Sequence, residues 1–91
     1  MIAKRVIFEG RVQGVGFRYM VKDLARSFDV CGSVKNLADG NVELQVMGEA
    51  GEVDAFIHEI TDESPVAGNI KRHAFEKIPL LENRRGFHIE R

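Results

Sequence analysis

The chain has 91 residues, 44% hydrophobic and 30% charged, with a formal net charge of −1. A chain this short buries only about 60–65% of its unfolded surface, so its apolar residues are committed to one core and one small domain spanning residues 1–91. The charge balance excludes nucleic acid or an anionic membrane surface as the main partner, although a local basic pocket fits on a neutral protein.

Cys31 is the only cysteine. No intramolecular disulfide is possible, and a buried, inert thiol in a reducing, cytoplasmic setting is expected. Met1 to Arg5 run straight into an alternating segment, which predicts neither a signal peptide nor a membrane span.

In chain order, Ile2 to Glu9 is rich in β-branched residues, with Val6 and Phe8 on one face and Ile7 on the other. This reads as a central strand. Phe17, Val21, Leu24, Ala25 and Phe28 then follow helical spacing. Asp29 to Gly32 reads as a turn and Ser33 to Leu37 as a short strand. Asp39-Gly40 predicts a hairpin with a type I′ turn, and Asn41 to Val46 alternates polar and apolar as a half-buried antiparallel strand. Gly48 to Gly51 breaks the pattern. Val53, Phe56, Ile57 and Ile60 then form the apolar face of a second helix, stopped at Ser64-Pro65. Asn69 to Ile78 carries five charged or histidine side chains among its apolar ones, the composition of a protected edge strand. Pro79 ends it, Leu80 to Arg85 is a loop, and Gly86 to Ile89 reads as a last short strand.

This β-α-β-β-α-β order predicts an α+β, ferredoxin-like fold: an antiparallel sheet of four to five strands with two helices on one face. The first loop then lies at the same end of the sheet as the end of the second strand. That places Asn36 within reach of the loop.

The loop itself, Gly10-Arg11-Val12-Gln13-Gly14-Val15-Gly16-Phe17-Arg18, reads as an anion site. Its glycines permit positive φ, letting the N–H groups of Gln13, Gly14, Val15, Gly16 and Phe17 converge beside the free N–H groups of a helix start. Arg18 stands in the first helical turn, where the helix dipole disfavours a cation. It fits there as a fork that grips an incoming anion with two charge-assisted bonds. The bland alternative is a solvated arginine beside a turn, and for Asn36 a turn asparagine capping its own hairpin. The pattern is neither a nucleotide P-loop nor a dinucleotide-binding turn.

The same segment resembles the first signature of the acylphosphatases, and Gly32-Ser33-Val34-Lys35-Asn36-Leu37-Ala38-Asp39-Gly40-Asn41-Val42-Glu43 resembles the second. With Gly48 the resemblance spans nearly the whole chain. It implies a hydrolase of the carboxyl–phosphate bond of small acyl phosphates that needs no metal or cofactor. In this reading Arg18 binds the phosphoryl group and Asn36 positions the attacking water. Ser33 stands where many members carry a bulky aromatic residue, and Ala38 where proline is frequent. The implied partners are an acyl phosphate substrate and inorganic phosphate as product, without nucleic acid or membrane, and the expected state is a monomer.

Other chemistries fit less well. His58, His73 and His88 lie in different elements with no i, i+4 pairing and no cysteine partner, so they read as surface histidines, not metal ligands. Asp39 and Glu43 read as turn and outer-face residues. Lys71-Arg72 and Arg84-Arg85 read as solvated pairs. An RNA-binding module of similar topology would need aromatics on its third strand, and Val42 to Met47 has none. The acylphosphatase-like part of a larger hydrogenase-maturation carbamoyltransferase would be joined to zinc-finger and catalytic domains that these 91 residues do not hold. A degenerate, inactive relative is the remaining alternative, against which the presence of both Arg18 and Asn36 argues.

Overall fold

A computed structural model describes residues 1–82 and 85–91. The elements run β1 (Ile2–Gly10), α1 (Phe17–Ala25), β2 (Val30–Asn36), β3 (Val42–Gly48), α2 (Ala50–His58), β4 (Ile70–Ile78) and β5 (Phe87–Glu90). They build one sheet in the order β4-β1-β3-β2-β5, with β1 in the interior and β4 at an edge, as their compositions predict. The four expected strands pair antiparallel. β5 adds to β2 in parallel, with Val34 opposite Ile89, and makes the sheet mixed.

Register explains the core. Val6 faces Leu44, Leu44 faces Val34, and Phe8 faces Val42, so these side chains form rows on one face of the sheet. Phe17, Val21 and Ala25 of α1 and Val53, Phe56 and Ile57 of α2 join the same buried cluster. Both helices therefore cover that face. Phe8 packs on Phe17 with ring centroids 5.2 Å apart, and Phe56 on Phe28 at 5.5 Å. Burying a side chain of this size contributes about 1.5–3 kcal/mol.

The other face is polar. Arg5 reaches Glu43 at 3.3 Å and Glu76 at 3.4 Å, and Gln45 donates to Glu43 at 2.8 Å. Glu43 is an outer-face residue, as expected, but these neighbours cover it to 6% exposure. Cys31 also lies on this side, opposite Met47, and is only half-buried, which corrects the expectation of a buried thiol.

Four boundaries differ from the sequence reading. α1 ends at Ala25 and not at Phe28, because the N–H groups of Arg26, Ser27 and Phe28 tighten onto carbonyls three residues back. Gly32 lies within β2 and not in a turn. A Cβ there would come within 1.9 Å of the Gln45 carbonyl oxygen, so glycine serves close strand contact. The hairpin turn is not type I′. Gly40 N–H donates to Leu37 O and Gly40 takes φ 93°, giving a three-residue loop, while Asp39 Oδ1 accepts from Asn41 N–H.

α2 starts at Ala50, inside the predicted break, and its chain continues as a wider π turn over Glu59–Glu63. Ser64 Oγ donates to Ile60 O at 2.8 Å, closing the end that Pro65 enforces. Of the loop after Pro79, Asn83 and Arg84 lie outside the described residues, and with them half of the Arg84-Arg85 pair. No described helix is long and apolar enough to cross a membrane.

Candidate active site

The loop between β1 and α1 is fixed at both ends by buried side chains, Val12 and Phe17, each 1% exposed. Between them Gly14 and Gly16 take φ 75° and 79°. A Cβ at either would meet nothing within 4 Å, so glycine is required there for backbone conformation and not for space. Gly16 is the N-cap of α1, and no side chain caps that end. The N–H groups of Gly14, Val15, Gly16 and Phe17 donate to no acceptor among the described residues. Free N–H groups at a helix start are the donors an anion site requires.

Gln13 contributes more than a backbone amide. Its Nε2 donates to Leu37 O at 2.8 Å and to Asn41 O at 2.9 Å, tying the loop to both sides of the β2–β3 hairpin. No local pattern signals this brace, because it depends on the hairpin lying beside the loop in space.

Arg18 is half-buried in the first turn of α1, where no acidic residue accompanies it. Its Nη1 donates to the backbone oxygen of Glu90 at 3.2 Å. The last strand thus orients the guanidinium without neutralising it. Asn36 ends β2 on the helix-covered side of the sheet, opposite Val42. Its side chain makes no hydrogen bond among the described residues. The hairpin-capping alternative is therefore not realised, since Asp39 and Asn41 serve the turn instead.

Arg18 and Asn36 line one cavity of about 340 Å³ together with Tyr19, Ile89 and Arg91. Among the described residues no carboxylate side chain lines it. Gln13 to Phe17 do not line that cavity and reach it through Arg18, the next residue in the chain. Tyr19, Ile89 and Arg91 were not foreseen. Ile89 and Arg91 arrive only through the parallel pairing of β5 with β2, which no local pattern specifies.

The three histidines lie elsewhere. His58 pairs with Asp62 at 2.6 Å on α2 and the turn after it, His88 bonds to Arg85 O, and His73 stacks near Phe8. Among the described residues no three His, Cys, Asp or Glu side chains gather as a metal site.

Residues 4–89 match the family described as Acylphosphatase. The chain belongs to the acylphosphatase family. It is 42% identical over 89 residues to an acylphosphatase from Archaeoglobus fulgidus, covering 98% of each chain. It is 39% identical over 85 residues to one from Enterococcus faecalis, covering 93% of each. The crystal structure of acylphosphatase from Bacillus subtilis superposes with a TM-score of 0.89 at 34% identity over all of both chains. The chain also matches 12% of T. kodakarensis HypF, with a TM-score of 0.85 at 33% identity. The acylphosphatase family implies acyl phosphate hydrolysis, and the chain is an acylphosphatase enzyme on these relationships.

Proposed function

We propose that the protein hydrolyses the carboxyl–phosphate bond of small acyl phosphates by direct in-line attack of water, without a metal ion or cofactor. The observation that carries this reading is the pairing across one cavity of an arginine with no carboxylate partner and an asparagine side chain with no hydrogen bond, both among the described residues.

The amides of Gln13 to Phe17 and the Arg18 fork hold the phosphoryl oxygens and stabilise charge on them in the transition state. The Asn36 amide holds a water in line with the leaving oxygen. The water oxygen forms a bond to phosphorus as the bond from phosphorus to the carboxyl oxygen breaks, and the electron pair leaves on the carboxylate. Such a leaving group needs no proton, so the site needs no acid. The water's proton passes to a phosphoryl oxygen or to solvent, since a guanidinium has only donors and a carboxamide is too weak a base to take it.

The reading takes residues 1–91 as one domain acting as a cytoplasmic monomer, with no nucleic acid or membrane partner. Drawing the site from Gln13 at one end of the chain and Arg91 at the other supports the single domain.

The test is hydrolysis of benzoyl phosphate in ¹⁸O-labelled water after treatment with a chelator. Full activity with the label in phosphate is expected. Label in benzoate, or activity that returns only with added metal, contradicts the mechanism.

A further inference from the structure

A second cavity of about 260 Å³ lies between α1 and β5, lined by Lys22, Ala25, Arg26, Val30, Gly86 and Phe87. α1 and β5 wall both cavities. β5 runs parallel to β2 and so reaches Arg91 at the end of the sheet where Asn36 stands. The chain of α1 runs the other way, from Arg18 beside that end to Arg26. The two spaces are therefore successive stretches of one seam.

The cations in the seam are spaced along the helix. Arg18, Lys22 and Arg26 follow at intervals of four residues, each about 6 Å further along the axis and turned only slightly, so they form a row on one side of α1. Lys22 has no acidic partner among the described residues. Arg26 has only Asp23, at 3.7 Å between two side chains that are nearly four-fifths exposed, a contact of little strength. Neither cavity has a carboxylate side chain in its lining, although the chain carries 14 acidic residues against 13 basic ones. The helix dipole favours one cation near the end of α1, but it does not account for an apolar floor beneath a row of them. That floor is Ala25, Val30 and Phe87, and Phe87 is held edge-on to the core ring Phe56 at 5.8 Å.

Resting on the hydrolase reading above, we propose that the acyl half of the substrate lies along this seam, and that Lys22 and Arg26 bind a second negative charge on it. The substrate class is then an acyl phosphate with a short apolar stem ending in an anionic group. Arg18 takes the phosphoryl group, the stem covers Ile89 and Phe87, and the far anion meets Lys22 and Arg26. Lys22 and Arg26 touch neither reacting bond, so they act through affinity and leave the chemical step alone.

The experiment compares benzoyl phosphate with 4-carboxybenzoyl phosphate, which differ only in the distal charge, on the intact chain. Wild type is expected to favour the carboxylated substrate about five- to tenfold in kcat/KM at low salt, through KM, with the preference fading as salt is raised. The doubly substituted Lys22→Gln, Arg26→Gln protein loses the preference and keeps its kcat/KM for benzoyl phosphate within about twofold. Lys71→Gln with Lys77→Gln changes net charge equally on β4, at the opposite edge of the sheet, and keeps the preference. All four positions are exposed, so these variants fold. Hydrolysis of both substrates without preference, or a preference that survives the double substitution or disappears in the β4 control, overturns the inference and leaves the hydrolase reading standing. Hydrolysis of neither substrate by wild type overturns both.

Discussion

Two sides of the molecule use the same kinds of side chain differently. On the flank formed by β1, β4 and α2, Lys4 and Arg72 meet partners supplied by the chain. Lys4 bonds to Asp54 at 2.8 Å and sits 4.3 Å above the Phe75 ring, and Arg72 meets Glu9 at 3.3 Å. Along the seam of α1 and β5, Arg18 finds only a backbone oxygen and Lys22 finds no partner among the described residues. A cation that the fold has neutralised holds elements together. One that it orients and leaves without a carboxylate is what the proposed anion site requires.

The largest effect that tests this contrast is at Arg18. Arg18→Ala is expected to cost about 3–4 kcal/mol of transition-state stabilisation, at least about 10²-fold in kcat/KM, while thermal unfolding moves little because one hydrogen bond to Glu90 O is lost. Arg18→Lys rescues poorly, since an ammonium lacks the planar fork. Steady-state kinetics beside a melting curve separate the two effects. A variant that unfolds readily yet turns over normally would make Arg18 a structural cation like Lys4.

Next comes the brace between loop and hairpin. Gln13→Ala should lower kcat/KM by about tenfold or more through misplacement of the loop relative to Asn36. Its cost in stability is about 1 kcal/mol, because Leu37 O and Asn41 O keep their backbone donors. Chemical denaturation and kinetics on one preparation check both numbers.

On the opposite flank, Asp54→Asn removes a partner whose side chain is 59% exposed, so about 0.2–1 kcal/mol of stability is lost and activity stays unchanged. The smallest expected effect is that of pH. With no histidine in the cavity lining, kcat should be flat from about pH 5.5 to 8, and alanine variants of His58, His73 and His88 should overlay wild type. An inflection lost in one of them would reveal a general base.

Much of this was legible in the sequence, for physical reasons that differ by element. The helical spacing of Phe17, Val21 and Ala25 and the alternation of Val42, Leu44 and Val46 are local, and each set lies in the core cluster. The order of elements placed Asn36 within reach of the first loop, and Arg18 and Asn36 line one cavity. Most of what was not legible depended on contacts distant in sequence. Asp39-Gly40 marked the hairpin, but its geometry was set by Asp39 capturing Asn41 N–H. Gly32 resembled a turn residue because a sequence does not display the approach of Gln45 O. Tyr19, Ile89 and Arg91 entered the cavity lining unannounced, the last two through a parallel strand whose partner no periodicity names.

Asn36→Ala tests the division of labour between Arg18 and Asn36 most directly. Phosphate affinity, measured by calorimetric titration, and kcat for benzoyl phosphate are determined on the same sample. Turnover should fall about 10²-fold while phosphate binds within about threefold of wild type, because water positioning acts in the transition state and the loop with Arg18 is untouched. Loss of phosphate binding together with turnover would show that Asn36 holds the loop in shape, and the water-positioning role would be wrong.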